Sequence, residues 1–361
     1  MFNFEVSSLP DRFYIIGGGP GGVGAAYAIS KAGFKPVIIE VHDRLAVKPC
    51  GRGVPVTSDI PFGIPKSIVL NKISYVKLYV DRLKLFKAGG WLNGFIIDKR
   101  EFLEHILSET RADIYYRARY NHKSGVARLG GETIDVRRGV FSGGFPYYEG
   151  ERIPVVQYIL GGSLGDVEMD TIEIYFDTEI LGYYYVFPHG DNVEVGVGGF
   201  RDHNTLWKLL DKFISKDSRL KNSIVVEREA AVVSIGGLRL GYINGLVKVG
   251  EAAGYVLPLT GEGIRPSIIS GYIAGEALAK GLDPIRELRR LRLSEAISIQ
   301  RRLLEWAKRL SVEERRRLIS TLTPQAHAEI ALGYFRLHKL VQNLIFKPLT
   351  MVKILTKIIG L

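Results

Sequence analysis

Gly17, Gly19 and Gly22 stand at the spacing G-x-G-x-x-G within FYIIGGGPGGVGAAYAI, and a carboxylate, Glu40, closes the next apolar run. These residue types suit a dinucleotide. The first glycine permits a tight turn, the second lets a pyrophosphate approach the backbone, and the third lets a helix pack closely on its sheet. The helix amides then face the phosphates. Glu40 is placed to accept hydrogen bonds from ribose hydroxyls and would repel a 2′-phosphate, so the site suits FAD or NAD better than NADP.

A second such constellation, GEAAGYVLPLTGEGI, occupies residues 250–264. It offers a carboxylate, Glu251, and a helix opening at Gly261-Glu262-Gly263. Glu251 is expected to take a ribityl hydroxyl. The amides near Gly263 and Ile264 are expected to face the flavin O2/N1 edge, which becomes negative on reduction and is stabilised by a helix N-terminus. A simple NAD dehydrogenase needs no such second element. Two motifs gripping opposite ends of one FAD account for both.

The elements that position these residues follow from the apolar pattern. Phe13–Ile16 and Val37–Ile39 read as short buried parallel strands flanking a helix. VVQYILGG, TIEIYFDTEI, GYYYVFP and NVEVGVGGF are β-branched or aromatic runs separated by turns, as in an antiparallel sheet. Residues 73–97 add further strand-like runs, and from about residue 285 the chain becomes charged helices. The expected fold is α/β: a Rossmann-like FAD-binding domain (1–72, 98–140 and 230–284), an inserted antiparallel substrate sheet (73–97 and 141–229), and a C-terminal helical region (285–361). In the last segment Arg336, Lys339, Lys347, Lys353 and Lys357 fall on one side of a helical wheel, and Pro348 kinks or splits the helix. Such a helix either lies on a membrane surface or docks on its own core.

Composition narrows the chemistry. The single cysteine, Cys50, excludes an intrachain disulfide, a four-cysteine iron–sulfur cluster and a cysteine-built zinc site. The seven histidines show no close ligand spacing, so no metal is expected. The net charge of +11 favours anionic partners: a phosphorylated substrate, an anionic membrane surface or an acidic redox protein. Nucleic acid is not expected, because no recognition motif accompanies the dispersed Lys and Arg. The first residues lack a signal-peptide pattern and no uncharged apolar run approaches a membrane span. The expectation is a cytoplasmic protein, at most peripheral on the inner face of the cell membrane.

Four stretches, GGGPGG (17–22), KPCGRG (48–53), YYYVFP (183–188) and GEAAGYVLPLTGEGI (250–264), together resemble the geranylgeranyl reductase family, within the flavoproteins typified by p-hydroxybenzoate hydroxylase. The resemblance implies that Gly21 and Glu40 contact the adenosine half of FAD. It implies that Cys50, Gly51 and Gly53 line the flavin side, with Arg100 near the ribityl chain. Glu251, Gly263 and Ile264 would complete the cofactor site. Three departures stand out. Glu251 replaces a usual Asp, FSGG (141–144) replaces an Ala-Asp-Gly strand end, and Tyr185 replaces the Trp of YxWxFP. The implied activity is FAD-dependent saturation of C=C bonds in an isoprenoid lipid or prenyl diphosphate, with NAD(P)H or a ferredoxin-like protein as electron donor. Cys50, Tyr185 and His189 are the candidate proton donors, and the sequence does not choose among them. The alternatives are an aromatic-hydroxylase-type monooxygenase and a membrane-associated electron-transfer paralogue.

Overall fold

A computed structural model describes residues 12–57, 59–129 and 131–334. The basic face of Arg336, Lys339, Lys347, Lys353 and Lys357, with Pro348, lies outside the described residues. Two sheets organise the chain. The first contains β1 (Arg12–Ile16), β2 (Lys35–Ile39), β6 (Asp113–Tyr115), β10 (Gly139–Phe141), β16 (Tyr242–Ile243) and β17 (Leu246–Lys248), in the order β16-β17-β10-β1-β2-β6. All neighbours run parallel except β16 and β17. Its strands are short and apolar because both faces are covered: Phe13, Ile15 and Ile38 are fully buried.

Helix α1 (Pro20–Lys31) follows the first glycine turn, with proline in its first turn where no amide bond is lost. It lies against helix α4 (Ile264–Ala279) almost backbone to backbone. A Cβ at Gly24 would meet the Ile268 carbonyl oxygen at 2.3 Å, and one at Gly271 would meet that of Gly21 at 1.8 Å. Only glycine fits such contacts. This packing brings the two sequence motifs together across the chain.

The second sheet contains β3 (Gly53–Pro55), β4 (Val69–Val80), β5 (Leu83–Ile97), β11 (Arg152–Gly162), β12 (Thr171–Asp177), β13 (Gly182–His189), β14 (Asn192–Gly198) and β15 (Ser223–Ser234). Their order is β15-β11-β14-β13-β12-β4-β5-β3. It is antiparallel except where β12 runs parallel to β4. Thus β3 and the start of β4, expected with the cofactor domain, are hydrogen-bonded into the substrate sheet. Helix α3 (His203–Lys216) packs on one face over Val156, Val186, Val193, Val195 and Val197. A smaller sheet of β7 (Arg119–Asn121), β8 (Val126–Leu129) and β9 (Glu132–Asp135) is an addition the sequence did not announce.

Helix α2 (Lys99–Ser108) starts at Asp98, whose side chain accepts from the amides of Arg100 and Glu101. Helices α5 (Pro284–Arg289), α6 (Arg292–Arg309), α7 (Val312–Thr321) and α8 (Pro324–Leu332) end the described chain. Among the described residues, no helix is long and apolar enough to cross a membrane.

Candidate cofactor and substrate site

One cavity of about 1200 Å³ runs from the first glycine turn, past the 48–53 loop, to the face of the larger sheet opposite α3. Its far wall is made by α6, α7 and α8, through side chains such as Leu303, Trp306, Ile319 and Leu322. Helix α6 packs Leu293 and Ile297 into the core of the first sheet, and apolar side chains left over on the three helices face the cavity.

At the near end the backbone is shaped for a close-approaching ligand. Gly17 has φ +92°, and a Cβ there would sit 2.5 Å from the Ser142 carbonyl oxygen. A Cβ at Gly22 would meet the Gly17 carbonyl oxygen at 1.9 Å. Gly19 differs: it lines the cavity, and a Cβ would meet nothing within 4 Å. The space kept free of side chain is therefore on the cavity side, as a pyrophosphate requires. Ser142, Gly143 and Gly144 of FSGG line the same end. Glu40 is buried; Oε2 accepts from the Gly18 amide at 2.7 Å and Oε1 from the His42 amide at 2.9 Å. It braces the glycine turn while its carboxylate edges the cavity.

In the middle, Cys50, Gly51 and Gly53 line the cavity, and Cys50 is half-buried. A Cβ at Gly51 would press on the Phe187 ring at 3.1 Å, so this loop lies directly on β13. Glu251 also lines the cavity, but its oxygens have protein partners: Oε2 accepts from Lys48 Nζ at 2.6 Å and Oε1 from the Ser234 amide at 3.1 Å. Lys48 thus ties the 48–53 loop to the second motif. Gly263 and Ile264 line the cavity at the start of α4, which has no side-chain cap. Its first amides are free to meet an anion. The glycine turn, the loop and the α4 N-terminus together fit FAD.

Arg100 corrects the expectation. It is exposed, pairs with Glu104 at 2.8 Å and does not line the cavity. The preceding residue, Lys99, is buried, lines the cavity and donates to the Lys48 carbonyl. One residue is about 100° of helix rotation, enough to exchange the inward and outward faces.

Of the candidate proton donors, Cys50 and Tyr185 line the cavity and His189 does not. The Tyr185 ring lies across β14, where a Cβ at Gly196 would meet its hydroxyl at 2.3 Å. Its hydroxyl donates to Gln157 Oε1 at 2.5 Å, and Gln157 Nε2 donates to Glu229 Oε2 at 2.6 Å. Burial pushes the Tyr185 hydroxyl well above its usual range. Its proton is thus committed to Gln157 and is poorly acidic. Burial, with Arg52 nearby, holds His189 below its ordinary value, which keeps the imidazole neutral.

Lys48, Lys99, Arg52, Gln157, Glu194 and Glu229 were not singled out in the sequence. Arg52, at φ +52°, donates to Glu194 Oε2 at 2.6 Å and stands 3.8 Å from Glu229. Glu194 was detectable: in NVEVGVG it stands between alternating valines that share one face, so its side chain must point to the opposite face.

Residues 15–48 match the family model of the NAD(P)-binding Rossmann-like domain. A digeranylgeranylglycerophospholipid reductase from Methanococcus vannielii is 28% identical over 74% of this chain and 76% of its own length. The crystal structure of a geranylgeranyl bacteriochlorophyll reductase-like protein from Thermoplasma acidophilum superposes with a TM-score of 0.76. It covers 92% of this chain and 98% of that one, at 22% identity. A flavin-dependent brominase shares the fold at TM-score 0.66 and 14% identity, over 90% of this chain and 92% of its own. The fold is therefore one used by flavin-dependent proteins, and over about three quarters of its length the chain is similar to the geranylgeranyl reductases that its four motifs resemble.

Proposed function

We propose that this protein is an FAD-dependent reductase that saturates C=C bonds in an isoprenoid lipid bearing geranylgeranyl chains, or in a prenyl diphosphate. The observation that carries this reading is the continuity of the cavity. Its near end has the glycine turn and uncapped helix start that suit a dinucleotide, and its far end is apolar, with Ile153, Val155, Ile172, Phe176, Leu303 and Ile319. The curated relatives named as reductases of geranylgeranyl lipids support the same substrate class.

FAD, when bound and reduced, supplies a hydride for such a saturation. The chain's part is to hold the dinucleotide, exclude water and provide a proton. Gly17–Gly22 and Glu40 would seat the adenosine half; Gly51, Gly53 and the amides after Gly263 would border the flavin. Cys50 is the donor best placed for the proton, since the Tyr185 proton is held by Gln157 and His189 is outside the cavity. The reducing partner is proposed to be NAD(P)H or a ferredoxin-like protein, with the lipid drawn from a membrane surface the protein touches peripherally.

The test is anaerobic incubation of dithionite-reduced holoenzyme with geranylgeranyl diphosphate and with a geranylgeranyl lipid, followed by mass spectrometry. Product heavier in steps of about 2 mass units, as hydride-plus-proton addition requires, supports the reading. A strict need for oxygen with a hydroxylated product would replace it with the monooxygenase.

A further inference from the structure

Glu194 is fully buried on β14, facing the cavity side between Phe187 of β13 and Ile159 of β11. Neither cross-strand neighbour offers it a hydrogen bond. Oε2 accepts from Arg52 at 2.6 Å, whereas Oε1 is buried and has no partner. A Cβ at Gly51 would lie 3.6 Å from Oε1, so the free oxygen faces the loop residue next to Cys50. An ionised oxygen in an apolar shell without a donor is costly, and taking up a proton removes that cost. Because Arg52 occupies Oε2, the proton belongs on Oε1.

The surrounding charges agree. Burial is the largest influence on Glu194 and outweighs Arg52; Glu229 on β15 adds repulsion, Lys99 on α2 subtracts a little, and the carboxyl is pushed up to about 8. The other titratable groups of this cluster are Tyr185, Cys50 and His189, which feels Arg52 and Glu229 and is held neutral by burial. Tyr185 feels both Glu194 and Cys50, and Arg52 feels both as well.

We infer that Glu194 is the buried acid that stores a proton at Oε1 beneath the 48–53 loop and returns it to Cys50 after each saturated bond. The inference rests on the reductase reading above. In the step, the S–H bond of Cys50 breaks as a C–H bond forms on the alkene carbon that does not receive the hydride. The thiolate then takes the Glu194 proton: O–H breaks, S–H forms, and the carboxylate left behind is paired with Arg52. Glu194 is recharged from solvent on the side of Glu229, which is partly exposed. Glu194 is thus a positioning and proton-holding residue that acts through Cys50.

The test uses holoenzyme carrying Glu194→Gln, which keeps shape and an acceptor for Arg52 but cannot hold a titrating proton, and Glu194→Asp, which can. Infrared difference spectra of oxidised wild type should show a carboxylic-acid C=O band that disappears as pH rises through about 8, as a carboxyl held up by burial requires. The band should be missing in Glu194→Gln. Anaerobic saturation of geranylgeranyl diphosphate by wild type should fall over the same pH interval. Glu194→Gln should be at least tenfold slower at pH 7, and Glu194→Asp should recover most of the rate, all with unchanged FAD content. No titrating band in wild type overturns the inference, as does a rate in Glu194→Gln at pH 7 equal to that of wild type. A band that titrates as expected in a wild type that saturates nothing overturns the reductase reading, and with it the use of the proton, while leaving the proton's location intact.

Discussion

The two faces of the larger sheet each bury a glutamate, and the two are treated in opposite ways. Glu173 on β12 pairs with Val186 and so faces α3; its side chain is 2% exposed. Arg219 holds both its oxygens at 2.9 Å, Lys77 adds a contact at 3.1 Å, and the Tyr175 hydroxyl donates at 2.5 Å. These donors overcome the burial and lower its pKa. Glu194 is as deeply buried but has one arginine and one empty oxygen, and its pKa rises. Depth does not separate a structural carboxylate from a working one. The supply of donors does: the face closed by α3 satisfies its charge, and the face open to the cavity leaves an oxygen unpaired where a proton is needed.

The largest expected effect comes from stripping the satisfied face. Arg219→Met leaves Glu173 with Lys77 and Tyr175 only, and removing one member of a buried pair costs about 3–5 kcal/mol, here near the lower figure because two donors remain. Glu194→Gln should not destabilise the protein at pH 7, since it replaces a carboxyl that is neutral when folded and removes the proton uptake that folding otherwise requires. Urea denaturation of both variants checks this. A larger loss for Glu194→Gln than for Arg219→Met would reverse the contrast between the faces.

The sequence was most readable where function depends on neighbours in the chain. The glycine turn needs Gly17, Gly19 and Gly22 at fixed spacing because Gly22 abuts Gly17, Gly17 abuts Ser142 at the end of the neighbouring strand, and Gly19 keeps the cavity side open, so spacing alone reports them. The strand runs of the larger sheet were equally plain from their β-branched and aromatic residues between turns. Whatever depends on phase or on distant partners was less readable. Lys99 and Arg100 could not be told apart until Asp98 set the start of α2. The ion pair of Lys48 with Glu251 joins residues 203 apart, and nothing local marks it. The parallel pairing of β12 with β4 and the use of α6, α7 and α8 as a cavity wall are also products of tertiary packing.

A second, smaller effect should be confined to the cavity face. Gly196→Ala puts a methyl where the Tyr185 ring lies, closer than 3 Å to several of its atoms. The ring must turn into the cavity and release Gln157. Overpacking of this kind costs about 1–3 kcal/mol. The cofactor end is untouched, so FAD content should not change, while conversion of the longer prenyl substrates should fall several-fold relative to shorter ones. Equal conversion across chain lengths would show that Tyr185 does not shape the substrate's space.

The smallest signal is spread over pH, and it distinguishes the faces by sign. Glu194 binds its proton more tightly folded than unfolded. Its contribution is therefore fully present below about 4.5, the ordinary value, and is lost as pH rises towards about 8. One such group gives a slope of at most about 1.4 kcal/mol per pH unit. Glu173 acts in the other direction: its contribution is present above its ordinary value and is lost as pH falls below it. Glu168, lowered to about 2 chiefly by Lys87, Thr171 and Lys77, does the same but is too exposed to count for much. His189, depressed by burial, adds stability as pH rises through its folded value towards 6.5, so the interval from 7 to 9 reads Glu194 most cleanly. Melting temperatures of wild type and Glu194→Gln should therefore diverge there, with wild type falling more steeply, and should run parallel below pH 4, where Glu173 governs both. Parallel curves from 7 to 9 would mean that Glu194 is ionised in the folded protein, and the two faces would then hold the same kind of carboxylate.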